Sequence, residues 1–172
     1  LGASAPYANS GSLRTRGWEL GISWNHRFGD VDVFASANIY DGKTKVTEYN
    51  NPNKLINQFY SGMEYGEIWG FETDRYFEES DFTGKNADGS WIYAPGVADQ
   101  TGLQQGTFVY GPGDIKFKDL DGNGVINGGD PTMKDAEGNL IPVGTVRNHG
   151  DLKKIGNSTP RYEYSFRLGA AW

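Results

Sequence analysis

The sequence predicts an all-β fold built on long antiparallel strands, and three observations carry that expectation. Glycine (25 residues) and aromatics (14%) are abundant while apolar residues reach only 37%, a mixture that suits turn-rich strands better than packed helices. Three segments alternate apolar and polar side chains with the period of two that a pleated strand imposes. No apolar run approaches the roughly 20 residues that a membrane helix requires.

The first alternating segment runs from Arg14 to Asn25, with Trp18, Leu20, Ile22 and Trp24 on one side and Gly17, Glu19, Gly21, Ser23 and Asn25 on the other. A turn is expected over His26-Arg27-Phe28-Gly29-Asp30. Alternation then resumes with Val31, Val33, Ala35, Ala37 and Ile39 against Asp32, Phe34, Ser36, Asn38 and Tyr40, which completes a hairpin with one apolar side. The third segment sets Tyr162, Tyr164, Phe166, Leu168, Ala170 and Trp172 against Arg161, Glu163, Ser165, Arg167, Gly169 and Ala171. Each arm has about the 9 to 11 residues with which a tilted strand crosses a bilayer, and tryptophan at its ends suits an interfacial aromatic girdle. A soluble sandwich would bury the same apolar sides between two sheets, so periodicity alone leaves both settings open.

Between Thr47 and Pro160 the composition shifts to Gly, Asn, Asp, Pro and aromatic residues, with short apolar patches at Ile68 to Phe71 and Trp91 to Tyr93. A structureless loop of this length is uncommon, so a folded excursion of short strands is expected, with a helical turn near Glu78 to Phe82. The division expected is 1–47 strand hairpin, 48–160 excursion and 161–172 returning strand. If the tight turn is periplasmic, parity puts the excursion outside the cell.

A formal charge of -6 without a basic stripe removes the electrostatic footprint of a nucleic-acid binder. The absence of cysteine removes disulfides, thiol nucleophiles and thiolate metal sites. The chain opens on Leu1 without a leader pattern and stops at Trp172 within a strand pattern, so both ends are expected to be cuts in a longer protein.

Three segments, in order, resemble the C-terminal half of the SusC/RagA-type TonB-dependent transporters. Thr15-Arg16-Gly17-Trp18-Glu19-Leu20 is similar to that family's strand opening, with Thr15 where asparagine is usual. The run Gly62 to Phe77 resembles its glycine- and aromatic-rich segment ending in Thr-Asp-Gly-Ile-Phe, with Arg75 in place of that glycine. Pro112-Gly113-Asp114-Ile115-Lys116-Phe117-Lys118-Asp119-Leu120-Asp121-Gly122-Asn123-Gly124-Val125-Ile126 matches a third family segment, followed by Ile155-Gly156-Asn157-Ser158-Thr159-Pro160-Arg161-Tyr162. The resemblance implies part of a large antiparallel transmembrane β-barrel in the bacterial outer membrane, with a long extracellular loop excursion. It further implies a plug domain and TonB contact through an N-terminal part absent from this sequence, and a SusD-like surface lipoprotein capping the mouth. The implied cargo is an oligosaccharide or peptide, moved without covalent change, so no enzyme activity is expected.

Asp119 to Asp130 fits the twelve-residue calcium-loop template. Oxygen donors stand at Asp119, Asp121, Asn123, Asn127 and Asp130, a carbonyl at Val125, and glycine at the sixth position, Gly124. The flanks are strand-like and Asp130 replaces the usual glutamate, which excludes an EF-hand proper, while calcium in a purely structural role stays open. The same residues also gather wherever side chains bond their own turn backbone. The excursion's aromatics, Tyr60, Tyr65, Trp69, Phe71, Tyr76, Trp91, Tyr93 and Tyr110, could stack on sugar or meet the lipoprotein, or simply pack on one another. Glu19, Asp32 and Asn38 are expected to face the lumen.

His26 and His149 are the only histidines and read as solvated turn residues, and no Gly-x-Ser-x-Gly or His-Glu-x-x-His motif occurs. Glu78, Glu79 and Asp81 form an acidic cluster that reads as a solvated face. The rival to the transporter is a soluble, calcium-containing, carbohydrate-binding β-sandwich, separable by whether the protein needs detergent.

Overall fold

The computed structural model describes residues 10–172, so residues 1–9 of the expected hairpin region lie outside the description. The fold is all-β. Its strands are β1 (Gly11–Phe28), β2 (Val31–Tyr49), β3 (Glu67–Phe71), β4 (Thr73–Tyr76), β5 (Phe82–Lys85), β6 (Trp91–Tyr93), β7 (Ile115–Phe117), β8 (Leu152–Asn157) and β9 (Tyr162–Ala171). They fall into two compact units. Among the described residues one comprises 10–50, 60–67 and 157–172, the other 51–59 and 68–156.

The first unit is an antiparallel sheet in the order β1-β2-β9. β1 and β2 pair along almost their whole length, closed by a two-residue turn in which Phe28 faces Val31. Gly29 takes φ 63°, the left-handed value that the first position of a tight hairpin turn demands and that only glycine adopts freely. The expected five-residue turn is therefore shorter, and His26 belongs to the strand, its ring 4.5 Å from Phe28 and 5.9 Å from Trp24.

Both strands also run further at their open end than hydropathy suggested. Arg14 faces Lys45 and Arg16 faces Lys43, while the hydroxyls of Thr15 and Thr44 meet at 2.8 Å. Both sides of the pleat are polar there, so no apolar alternation marks the strand although the ladder persists. The opposite edge of β2 is shared. β9 covers Asp32 to Asp41, and backbone bonds from Val46 N to Met63 O (2.9 Å), Gly62 N to Val46 O (2.8 Å) and Tyr65 N to Thr44 O (2.9 Å) carry Gly62 to Tyr65 along the remainder. Gly17 and Gly42 face each other across the β1–β2 ladder; a Cβ on Gly17 would lie 2.6 Å from the Asp41 carbonyl and 3.3 Å from the Tyr40 ring. Glycine here lets that ring lie over the strands and cover their bare backbone.

The second unit contains β3 to β8 apart from their outermost residues Glu67 and Asn157. Its strands form three two-stranded sheets, β3-β8, β4-β7 and β5-β6. A 3-10 turn at Glu79–Asp81 stands where a helical turn was expected. Short strands bury little, and the apolar centre is correspondingly small: Phe77, Phe82 and Ile126 are buried, and Phe77 gathers Phe82, Tyr93 and Tyr110 with ring centroids 5.0, 5.7 and 6.4 Å away. Buried polar side chains do the rest. Gln100, 0% exposed, donates to Ile115 O (2.9 Å) and accepts from Phe117 N (3.1 Å), substituting for a neighbouring strand beside β7. Asn148, equally buried, donates to the carbonyls of Asp130 (2.7 Å) and Ile141 (2.9 Å) and accepts from Asp130 N (2.8 Å). Each satisfies backbone groups that irregular chain would otherwise leave unpaired.

Candidate functional site

Two features of the molecule can carry function, the two-faced sheet and the acidic loop. In the sheet, directly opposed residues share a face. The register sets Leu20 opposite Ile39 and Tyr164, Ile22 opposite Ala37 and Phe166, and Trp24 opposite Ala35 and Leu168. All three alternating patterns thus come together on one side. That side stands open, with Trp18 51%, Ile22 61%, Phe166 79% and Leu168 80% exposed. The other side carries Glu19, Ser23, Asn25, Asp32, Ser36, Asn38, Glu163, Ser165 and Arg167. There Asn38 Nδ2 donates to Ser165 Oγ at 3.2 Å, and Arg27 approaches Asp32 at 3.9 Å.

The loop after β7 bends through Gly122 and Gly124, with φ 74° and 82°. Asp119 accepts from the N–H groups of Gly122 (2.7 Å) and Gly124 (2.9 Å), Asp121 from Asn123 (3.1 Å), Asn123 from Val125 (2.7 Å) and Asn127 from Gly129 (2.7 Å). The side chains therefore build the turns they occupy. Val125 O accepts the Asn127 amide at 3.1 Å.

Asp119 and Asp121 converge with a third carboxylate, Asp151, one oxygen of each lying within 4.8 Å of the others. Asp151 is 0% exposed and accepts from Leu120 N (2.6 Å) and Asn127 N (2.9 Å), pinning both arms of the loop. Asp130 is not in this group. Its Oδ1 accepts from Thr132 N and Oγ1, both at 2.7 Å, which holds the carboxylate in a turn of its own.

Three carboxylates so close repel. Desolvation, followed by the charges of Asp151 and Asp119, pushes the Asp121 carboxyl above its ordinary range. Among the described residues none of the three forms an ion pair. Each carboxylate oxygen that accepts one N–H keeps a second lone pair, so the trio could hold a metal ion.

Other carboxylates are engaged by cations. Asp81, with 4% of its side chain exposed, meets Arg75 at 2.6 and 2.7 Å and Lys116 at 3.2 Å, and Arg75, then the Glu78 N–H and Lys116, hold its carboxyl far below the usual range. Arg75 thereby has a structural partner. Glu72 is bridged by Lys118 (2.7 Å) and Lys153, which lower its carboxyl from 4.5 to about 2.

The excursion's aromatics divide. Trp91, Tyr93 and Tyr110 join the Phe77–Phe82 cluster, Phe71 packs on Phe117 at 5.4 Å, and Trp69 on His149 at 5.2 Å, while Tyr60 is buried and Tyr65 and Tyr76 are exposed. In comparisons with known proteins, no family model matches the chain and no curated protein matches it.

Proposed function

We propose that the chain is a segment of a TonB-dependent outer-membrane transporter of the SusC/RagA-like kind, in which β1, β2 and β9 are neighbouring strands of a large transmembrane barrel. The observation that carries this reading is the open apolar face that the three strands share, backed by a polar face of Glu, Asp, Asn, Ser and Arg. A sandwich would cover the first and expose the second; a barrel in lipid does the reverse.

Dimensions agree. From Trp18 to Phe28 the rise is about 34 Å at ~3.4 Å per residue, which at a tilt near 45° spans about 24 Å of bilayer, against roughly 25 Å for the outer apolar band of such barrels. β1 and β9 are the sheet's outer strands. In a barrel, further strands would pair with both edges and remove the aggregation hazard that a long open edge creates.

On this reading the second unit forms the extracellular excursion, offering its exposed surface to a SusD-like lipoprotein and to the oligosaccharide or peptide cargo. TonB engages a part of the transporter beyond this sequence, and the chain performs no covalent chemistry. The Asp119–Asp121–Asp151 trio holds calcium, a hard cation suited to carboxylate oxygen, and the ion stiffens the loop without entering any reaction.

Fractionation of cells producing the protein tests the assignment. It should remain in the outer-membrane pellet through alkaline carbonate and come out only in detergent. Recovery as a detergent-free monomer would overturn the assignment in favour of the carbohydrate-binding sandwich.

A further inference from the structure

Beyond the girdle residue Trp18, the apolar face of the sheet continues into cations. Arg14, Arg16, Lys43 and Lys45 lie on the same side of the pleat as Trp18, Leu20 and Ile22, Arg14 opposite Lys45 and Arg16 opposite Lys43. Like charges placed directly opposite destabilise a ladder unless a counter-charge joins them. Among the described residues only one has such a counter-charge: Lys43 meets Glu64 at 2.9 Å. Among the described residues Arg14, Arg16 and Lys45 pair with no carboxylate, and Asp41, opposite Trp18 on the same face, is taken by Arg161 at 2.8 and 3.1 Å. Together with Thr47 the four side chains wall a shallow groove. Their aliphatic stems can lie along apolar material while the charged ends reach past it.

We propose that this groove binds the phosphate groups of anionic lipid headgroups, fixing the depth at which the sheet sits in the bilayer. The inference rests on the reading of the apolar face as lipid-facing, and adds to it a specific headgroup chemistry. Charge complementarity selects the occupant. A phosphate reached by two arginines and a lysine receives charge-assisted and bidentate hydrogen bonds that water does not match. The position, one pleat beyond the apolar band, is where headgroups stand. The chain as a whole carries -6, so bulk electrostatics would drive it away from an anionic surface; any preference for such a surface must come from a local patch.

The test is flotation of the full chain with vesicles of phosphatidylcholine alone and of phosphatidylcholine containing about one quarter phosphatidylglycerol. The unaltered protein should float with both and favour the anionic vesicles roughly tenfold or more at low salt. Replacing Arg14→Gln, Arg16→Gln and Lys45→Gln together should erase the preference while leaving binding to phosphatidylcholine unchanged. Arg14→Lys with Arg16→Lys should retain most of it, and Lys134→Gln, on the other unit, should retain all of it. Equal flotation of the unaltered protein with both vesicle types, or a preference that survives undiminished in the triple variant, overturns the proposal and leaves the lipid-facing reading intact. Loss of the preference on adding inorganic phosphate at constant ionic strength points to a free-anion site and overturns the lipid proposal. Failure to float with phosphatidylcholine sinks the lipid-facing reading and this proposal with it.

Discussion

Asp151 joins two roles in one side chain, since its buried carboxylate both ties the loop's backbone and completes the acidic trio. Asp151→Asn keeps the shape but weakens both, and loss of the charged acceptor should cost about 1.5 to 3 kcal/mol of the second unit's stability. Calcium at one hundred times its dissociation constant should add about 2.7 kcal/mol to the unaltered protein, read as a raised unfolding midpoint. That increment should vanish in Asp151→Asn and persist in Asp130→Asn; no calorimetric heat at millimolar calcium would remove the ion altogether. The twelve-residue template made Asp119 and Asp121 visible in the sequence because their spacing is local. Asp151 sits on a separate turn far along the chain, and nothing in the intervening residues marks it.

The same scale governs the response to acid. Lys118 first, then Lys153, stabilise ionised Glu72, and Arg75 does the same for Asp81, so both carboxyls titrate lower folded than unfolded. Between those values the unfolded chain binds more protons, so the contribution is complete above about 4.5 and is lost as pH falls towards 2. Urea midpoints of the second unit should fall through that window. In Lys118→Gln with Lys153→Gln the slope should be shallower, and an unchanged slope would remove these pairs from the cause.

At the level of strands, the sheet separates what hydropathy can report from what it cannot. Over Trp18 to Trp24 one side is apolar and the other polar, so the pattern alone gives direction, face and partner side. Over Arg14 to Arg16 the two sides are both polar, so hydropathy is silent although the ladder continues. Gly62 to Tyr65 escapes for the same reason, although it extends the edge of β2. In the second unit Gln100 holds β7 and Asn148 holds the irregular chain at Asp130 and Ile141, through buried hydrogen bonds that leave no periodic trace. A lipid-facing band makes a sharp demand on neighbouring positions. Ile22→Lys should cost the membrane-folded state about 2 to 4 kcal/mol, whereas Ser23→Lys, on the wet face, should cost little. Equal losses in detergent-to-lipid refolding titrations would contradict the division of faces.

For the molecule as a whole, the two units are stabilised by different means. The first is a ladder with little apolar burial, Val46, Tyr60 and Met63 being its buried apolar side chains among the described residues; the second couples a small aromatic centre to buried polar staples and ion pairs. Asx turns and charge pairs suit a body bathed in water. An open apolar sheet does not, and in water it should drive self-association. Spin labels placed singly from position 19 to 24 of β1, with the protein reconstituted in lipid, measure the environment of each face directly. Collision with oxygen should peak at 20, 22 and 24 and collision with a water-soluble nickel complex at 19, 21 and 23. Accessibility without this two-residue alternation, or with its phase reversed, would contradict the assignment of the apolar face to acyl chains.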